Sequence, residues 1–322
     1  MSGALRIGSR GSKLALIQSE WVRDELLRLH PDLSVEIEVI QTKGDKLLDA
    51  PLAKIGDKGL FTKELEAAIM DGRADLAVHS AKDMPTETPE GLAIVAFTAR
   101  EDVRDVFVAR AGGDGAAPRP RTLADLPARA VVGTSSLRRR SQLLAARPDL
   151  TLVDIRGNVQ TRLRKVEDEG MSGTVLAAAG LARLGLAEAA AFAFSFDEML
   201  PAVGQGSLAI EARADDDVVR ALVAPLQDEP TATAVRAERA LMRTLEGGCQ
   251  VPIAALGEAL DGADRLRLRA SVGSLDGRTV VRRERTGSVA EPEALGRALA
   301  EDLLAAGADA ILRAVRGEAA DG

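Results

Sequence analysis

Apolar segments with the period of β-strands alternate with segments of helical period along most of this chain, and this order restricts the fold. The first block has strand-like segments and helical segments in alternation, the strands at 5–8, 34–42 and 74–78 and the helices near 12–30 and 61–70. A second block repeats the order, with strands at 130–133, 150–155 and 174–178 and helices at 136–146 and 159–169. Strand–helix–strand repeats of this kind predict α/β domains.

Local signals refine this prediction. Ser12 has the position and chemistry of a helix N-cap, and Pro31 closes the helix that follows. Within that helix an apolar face is predicted from Leu14, Ile17 and Trp21 and continues through Val22, Leu26 and Leu29. The breaker-rich residues 201–206 indicate a hinge or crossover. The last third predicts a small α+β domain, with helices near 231–245 and 291–306 and strands near 265–274 and 279–284.

Composition excludes several classes of protein. A chain of 322 residues predicts about two domains, or three, and its one cysteine cannot form an internal disulfide, which favours a reducing compartment. Because His30, His79 and Cys249 are the only soft ligands, a Cys/His zinc or haem site is excluded, while an oxygen-ligated Mg²⁺ is left open. The N-terminus has no apolar stretch of a signal peptide, and no apolar run has the length of a membrane helix. A cytoplasmic location is expected.

The charge of the chain is concentrated in one segment. Residues 129–165 hold nine basic and two acidic side chains, a net charge of +7 within a chain of −7. Within this segment Thr134, Ser135 and Ser136 stand at a predicted helix start, and Arg138, Arg139 and Arg140 occupy the first turn, where the helix dipole disfavours cations. A bound anion would remove this conflict. The alternative is a solvated basic face with incidental caps.

More arginines follow the next predicted strand. Arg156 and Arg162 lie near the start of the next helix, and ligands of α/β sheets bind beyond the carboxyl ends of strands. Arginine favours bidentate capture of carboxylate or phosphate. No aromatic residue is interleaved among these arginines, so stacking of nucleic-acid bases is poorly supported.

Other candidate residues allow two interpretations each. Pro85 places Lys82 and Asp83 on a turn at the end of a strand, where the pair fits acid–base chemistry or an ordinary Asp/Pro turn. Lys54 and Lys58 lie on a glycine-rich loop that fits an anion lid or a solvated surface. Phe61, taken alone, is typical of a core residue. Cys249 follows two glycines and is either an accessible thiol or a small buried hydrophobe.

Several motifs in register resemble the porphobilinogen deaminase (hydroxymethylbilane synthase) family. The matching stretches run in the family's order and cover the chain nearly to Pro252, at residues 8–12, 54–61, 78–85, 133–139, 152–162, 179–185, 201–206 and 245–252. The resemblance implies a transferase of tetrapyrrole, haem and porphyrin biosynthesis. Such an enzyme deaminates and condenses four porphobilinogen molecules into linear hydroxymethylbilane, releasing ammonia at each step.

The resemblance also implies a cofactor and a set of site residues. The product grows on a dipyrromethane cofactor, held through a thioether to a loop cysteine whose position Cys249 occupies. Asp83 matches the family's catalytic aspartate. The implied cofactor contacts are Ser80, Lys82, Thr134, Ser135, Ser136, Arg138 and Arg139. The implied substrate contacts are Arg10, Lys54, Lys58, Phe61, Arg156, Arg162, Arg183 and Gln205. No metal site is implied.

The family fold implies two periplasmic-binding-protein-like α/β lobes around a cleft and a smaller α+β domain that carries the cysteine loop. The expected domains are residues 1–98 with 207–224, residues 105–200 and residues 229–322. A cytoplasmic monomer that binds neither nucleic acid nor membrane is expected. The competing functions are a non-catalytic two-lobed anion-binding protein with a free Cys249 and an RNA-binding protein that uses residues 129–165.

Overall fold

The computed structural model describes residues 4–42, 44, 59, 61–111, 119–247, 251–260 and 264–317. The strands are β1 Leu5–Arg10, β2 Val35–Ile40, β3 Leu76–Ser80, β4 Leu92–Phe97, β5 Asp105–Ala109, β6 Val131–Gly133, β7 Thr151–Val153, β8 Gly173–Ala177, β9 Phe192–Ala193, β10 Leu208–Arg213, β11 Ile253–Ala259, β12 Arg265–Gly273 and β13 Val280–Ser288. The helices are α1 Lys13–Leu29, α2 Lys63–Met70, α3 Leu137–Ala146, α4 Val159–Asp168, α5 Ala178–Arg183, α6 Asp217–Val223, α7 Glu229–Thr244, α8 Pro292–Leu303 and α9 Asp309–Arg316.

The chain divides into two units, residues 1–101 with 204–233 and residues 102–203 with 234–322. The sheet of the first unit has the strand order β2-β1-β3-β10-β4. β1 pairs in parallel with β2 and β3, whereas β10 runs antiparallel to both β3 and β4. The chain therefore re-enters this sheet after residue 207, far along the sequence from the other strands.

Helix α1 begins and ends as its sequence predicts, but only part of its predicted apolar face is buried. Ser12 accepts a hydrogen bond from the Ala15 amide, and the helix ends before Pro31. The predicted apolar face is confirmed at Val22 and Leu26, which are fully buried, but it is wrong at Trp21, which is 45% exposed. The buried residues also include Ala15, Gln18 and Ser19. Gln18 can lie on this face because it is hydrogen-bonded there, so apolar spacing alone did not identify the whole face.

Strand β3 leads directly into the residues with the strongest chemical signal. The strand lies two residues later than predicted, and a 3₁₀ turn of Ala81–Asp83, here named the Asp83 turn, follows it. The Met84 amide donates to the Ala81 carbonyl at 3.3 Å, and Met84 itself is extended, as expected before Pro85. The predicted turn at the end of this strand is confirmed.

The second unit holds a sheet with the order β7-β6-β8-β5-β9 and a smaller antiparallel sheet, β11-β12-β13. β6 runs parallel to β7 and β8, and each of these three strands leads into a helix (α3, α4 and α5). Phe107, Val132 and Leu143 belong to the core of the larger sheet, and Leu268 and Leu299 to that of the smaller one. The mixed α/β class with a separate C-terminal sheet is confirmed.

The smaller sheet packs against α3 within this unit. A Cβ on Gly273 of β12 would lie 2.9 Å from the Ser141 hydroxyl, so a side chain there would force the two elements apart. The predicted three-domain division stays a prediction. No helix among the described residues combines the length and the apolar character that crossing a membrane requires.

Candidate functional site

A pocket lies in the first unit at the carboxyl ends of the parallel strands β1 and β3, beside the N-terminus of α1. Its lining residues are Arg10, Ser12, Leu14, Ala15, Gln18, Phe61, Thr62, Val78, His79, Ser80 and Asp83. Parallel neighbours end at the same sheet edge, which brings residues from distant parts of the sequence together. Arg10, Phe61, Ser80 and Asp83, all predicted site residues, therefore share one pocket.

Phe61 is not a core residue, so that interpretation of the sequence was wrong. Its ring is only partly buried, and the Arg10 guanidinium carbon lies 4.1 Å from the ring centroid. A cation over an aromatic face at this distance is an attractive arrangement. The ring therefore holds the Arg10 guanidinium at the pocket.

Gln18 is a pocket residue that sequence reasoning missed. It is 3% exposed, and its Nε2 donates to the Ser80 Oγ at 2.9 Å. This bond ties α1 to the end of β3 and fixes the Ser80 hydroxyl. The sequence contained one signal that could have identified Gln18. Two polar residues, Gln18 and Ser19, lie between the apolar positions Ala15 and Val22 on the same helix face.

The Asp83 turn is supported by the segment that returns the chain to the sheet. The Ala81 amide donates to the Ser207 carbonyl at 3.0 Å, and the Lys82 Nζ lies 3.4 Å from the Gln205 Oε1. Gly204 has a φ of +72°, and a Cβ there would lie 3.1 Å from the Ala81 carbonyl carbon. Only glycine tolerates both conditions. The return segment thus places Lys82 and Gln205 together, while the exposed Asp83 lines the pocket.

In the second unit, three hydroxyl residues join the ends of β6 and β7. The Ser135 Oγ donates to the Ile155 carbonyl and accepts from the Ile155 amide, both at 3.0 Å. Thr134 Oγ1 accepts from the Ser136 amide, and Ser136 is the N-cap of α3, as predicted. The loop after β6 is therefore held to the loop after β7, which carries Arg156.

Arg138 and Arg139 are buried and share one counter-charge. The Arg138 Nη1 and the Arg139 Nη2 each lie 2.7 Å from a different oxygen of Asp105, the first residue of β5. Burial by itself raises the pKa of Asp105, but the charges and hydrogen bonds of the two guanidinium groups outweigh it and hold that pKa well below its usual range. Burial lowers the pKa of Arg138, and Asp105 opposes that effect.

This ion cluster changes the explanation of the three arginines. The sequence conflict at the start of α3 is relieved for Arg138 and Arg139 by Asp105, which sequence reasoning did not identify, and not by solvation of a basic face. Arg138 also donates to the Leu200 carbonyl at 2.7 Å, and Arg139 to the Val175 carbonyl at 2.8 Å. Their contact with a bound carboxylate group stays a prediction.

The loop after β7 offers further cationic donors. Arg156 is partly buried, and its Nη1 atom is fully buried with no hydrogen-bond partner among the described residues. Arg162 donates from Nε to the Gly157 carbonyl at 2.9 Å. Arg183 is the last residue of α5, which directly follows the parallel strand β8. These arginines follow β7 and β8, the strands that run parallel to β6 on its two sides. An unpartnered buried N–H is a group that an anionic ligand would satisfy.

Three predicted site residues lie outside the described part of the chain. These are Cys249, Lys54 and Lys58.

Comparison with known proteins gives consistent matches. Residues 5–221 match the model of the porphobilinogen deaminase dipyromethane cofactor binding domain, and residues 232–305 match that of the porphobilinogen deaminase C-terminal domain. The porphobilinogen deaminase of Syntrophotalea carbinolica is 54% identical over 98% of this chain and 96% of its own length. That of Moorella thermoacetica is also 54% identical, over 98% and 97% of the two chains.

Similarity to solved structures is weaker. A periplasmic binding protein of Salmonella typhimurium, described for its high arginine specificity, covers 72% of this chain and 94% of its own with a TM-score of 0.39 and 14% identity.

Proposed function

Because this chain belongs to the porphobilinogen deaminase family, we propose that Asp83 is its catalytic residue and that the residues gathered around the two sheet edges hold carboxylate groups of cofactor and substrate. The protein is a hydroxymethylbilane synthase, a transferase that condenses four porphobilinogen molecules with release of ammonia and uses a dipyrromethane cofactor. The family match supports this activity over a non-catalytic anion-binding protein.

The observation that carries the proposal is the convergence of Asp83, Arg10 and Ser80 in one pocket. Asp83 is exposed on a short turn, so its carboxylate is accessible to a ligand there. A carboxylate accepts hydrogen bonds from pyrrole N–H groups and stabilises the positive charge that develops as ammonia leaves. The same group can move protons to the leaving amine and from the new ring junction.

The residues present fit a carboxylate-rich cofactor. The hydroxyl residues Thr134, Ser135 and Ser136 lie directly before the helix that carries the cations Arg138 and Arg139. A polycarboxylate placed in a site without cations would carry uncompensated charge. We assign its contacts to Ser80, Lys82, Thr134, Ser135, Ser136, Arg138 and Arg139, with Cys249 as the covalent thioether anchor.

When bound, dipyrromethane supplies the pyrrole carbon on which the chain is extended. The chain's own residues orient it: Ser80 is fixed by Gln18, Lys82 by Gln205, and Ser135 by Ile155. Arg138 and Arg139, already compensated by Asp105, are rigid donors with defined positions.

Substrate and growing product also carry carboxylates, two for each porphobilinogen unit. We assign their contacts to Arg10, Lys54, Lys58, Phe61, Arg156, Arg162, Arg183 and Gln205. The cation over Phe61 and the buried Arg156 N–H support this assignment among the described residues.

Replacing Arg156 by Ala tests its assignment as a substrate contact, which is supported by its buried Nη1 atom without a partner among the described residues. We expect kcat/KM for porphobilinogen to fall by about 10–100-fold, the loss that follows removal of one or two charge-assisted hydrogen bonds. The matched control is Arg164→Ala, since Arg164 is exposed on α4. A reduced kcat/KM of Arg156→Ala at unchanged thermal stability supports the substrate-binding role of Arg156. Equal losses of kcat/KM in Arg156→Ala and Arg164→Ala contradict it.

The function is tested by intact mass and turnover on the same preparation. After incubation with porphobilinogen, the wild-type protein should be heavier by two linked pyrroles and should release ammonia while forming hydroxymethylbilane. Cys249→Ala should show the unmodified mass and no turnover, whereas the surface control Asp32→Asn should behave as wild type. An unmodified wild-type mass without ammonia release would contradict the proposal.

Cellular context and domain organisation are part of the same proposal. The single cysteine supports a reducing, cytoplasmic location. Compensation of Arg138 and Arg139 by Asp105 lowers the free positive charge of residues 129–165, which counts against phosphate contacts with nucleic acid. A monomer is proposed from the family resemblance, and light scattering would test it.

The strand orders of the sheets support domains at 1–98 with 207–224, 105–200 and 229–322.

A further inference from the structure

A buried histidine–carboxylate pair lies at the wall of the pocket of the first unit. His79 on β3 and Glu211 on β10 are 5% and 0% exposed, and the His79 Nε2 lies 3.1 Å from the Glu211 Oε2. The register pairs Glu211 with Ala77, so His79 and Glu211 are diagonal neighbours on one face of the antiparallel pair. No function discussed above uses this pair.

An ionised Glu211 requires a nearby positive charge to compensate its buried negative charge. Helix α2 contributes Glu66 and Lys63. Burial, with a smaller effect from the charge of Glu211, raises the pKa of Glu66, although its hydrogen bond with Thr62 and the charges of His79 and Lys63 oppose that shift. From the pocket side, Arg10 and Asp83 share the lining with His79. The second Glu211 oxygen, Oε1, has no hydrogen-bond partner among the described residues. A fully buried carboxylate is strongly unfavourable unless a charge compensates it.

The imidazolium form of His79 gives the balanced arrangement. A positive charge on His79 would compensate the Glu211 carboxylate, whose Oε2 lies 3.1 Å from the His79 Nε2. A neutral His79 would leave an ionised Glu211 uncompensated in the same space. The imidazolium donates from Nε2–H to Glu211 and also supplies the opposite charge.

The pair lies at the point where the Asp83 turn is fastened to the sheet. His79 precedes Ser80 and the turn, and β10 follows the segment that supports the turn through Ser207 and Gly204. A side-chain bond between β3 and β10 therefore fixes the last residues of β3 before the chain bends. A displacement there changes where Asp83 and Ser80 enter the pocket.

We propose that His79 is a positioning residue for the Asp83 turn, and that it acts as an imidazolium ion-paired with Glu211. His79 lines the pocket but is only 5% exposed, and we expect it to act through Ser80 and Asp83. This inference rests on the proposed catalytic role of Asp83.

NMR spectroscopy of the holoenzyme measures the charge state of the His79 ring directly. The chain has two histidines, so ¹⁵N-histidine labelling gives two ring systems, and a His30→Gln variant assigns them. At pH 7 we expect both ring nitrogens of His79 to be protonated in the wild type, and the ring to become neutral in Glu211→Gln. A neutral His79 ring in the wild type at pH 7 overturns the inference.

Kinetics test the positioning role. We expect His79→Ala to lower kcat by about 10–100-fold, the effect of a small misplacement of reacting groups, with an unchanged KM for porphobilinogen. His79→Gln places an amide donor near the Glu211 carboxylate and should restore part of kcat, whereas His30→Gln should keep the wild-type value. Wild-type kcat in His79→Ala overturns the inference.

The catalytic role of Asp83 and the positioning role of His79 can be contradicted separately. If Asp83→Asn is inactive while His79→Ala is fully active, the proposed function stands and the positioning role is wrong. If Asp83→Asn keeps wild-type turnover, the proposed catalytic role of Asp83 fails, and with it the positioning role of His79. If His79→Ala does not fold, Glu211→Gln and the wild-type NMR spectrum decide the inference.

Discussion

Asp83→Asn is expected to lower kcat for hydroxymethylbilane formation by about 10²–10⁴-fold, the range for loss of one acid–base group. The substitution keeps the shape of the side chain but removes the negative charge that stabilises a developing cation. Because Asp83 is exposed on a 3₁₀ turn, thermal stability should stay at the wild-type value. Ammonia release and product formation from porphobilinogen, measured on folded protein, provide the readout.

Asp32→Asn is the matched control for this prediction, since Asp32 is an exposed aspartate of the same unit and lies outside the pocket. It removes the same charge from the chain and should leave kcat unchanged. Near-normal turnover by Asp83→Asn would exclude Asp83 from the mechanism. A comparable loss in both variants would point to a general charge effect in place of a local one.

Asp105→Asn should be strongly destabilising. Removing one partner of a buried ion cluster typically costs about 3–5 kcal/mol in the free energy of unfolding, because the remaining charges stay buried without compensation. Here two guanidinium groups, those of Arg138 and Arg139, would lose their common carboxylate. Chemical denaturation at pH 7 measures the effect.

Asp102→Asn is the control, because the Asp102–Arg104 pair lies three residues away but is exposed to solvent. Surface ion pairs contribute about 0–1 kcal/mol, so this variant should unfold almost as the wild type does. Equal stabilities of the two variants would show that the buried cluster does not hold the second unit together.

The pH dependence of this effect has a defined sign. The pKa of Asp105 is depressed in the folded protein, so its contribution to stability is fully present above the unfolded pKa and is lost as the pH falls. The difference between wild type and Asp105→Asn should therefore be largest above about pH 4 and shrink in more acidic solution. A constant difference from pH 7 to pH 2 would contradict the ion-pair explanation.

Local chemistry made much of the fold predictable. Ser12 and Ser136 cap helices where their positions indicated, because an N-cap needs only its own side chain and the next amides. Pro85 correctly placed Lys82 and Asp83 on a turn, since proline restricts the residue before it. The alternation of strands and helices correctly indicated the α/β class. These signals act within a few residues of each other.

Long-range partners were not predictable in the same way. Asp105 lies 33 residues before Arg138, and Gln18 lies 62 residues before Ser80, so neither contact leaves a periodic signal. The buried face of α1 was assigned only in part for the same reason: Val22 and Leu26 were identified, whereas Gln18 was missed because its hydrogen-bond partner comes from β3. Phe61 likewise could not be distinguished from a core residue until the position of Arg10 was known.

Motifs in the sequence, read through their spacing and family resemblance, indicated the carboxylate-binding chemistry, the candidate aspartate and the anchoring cysteine. Hydrogen bonding, helix capping and charge preference are properties of side chains, and they persist in the linear chain. Which charges are compensated depends on how distant strands meet at a sheet edge. The tertiary structure therefore determined which charges are compensated. Asp105 compensates two buried arginines, whereas the buried Arg156 Nη1 has no partner among the described residues. His79 lies against Glu211 at the pocket wall.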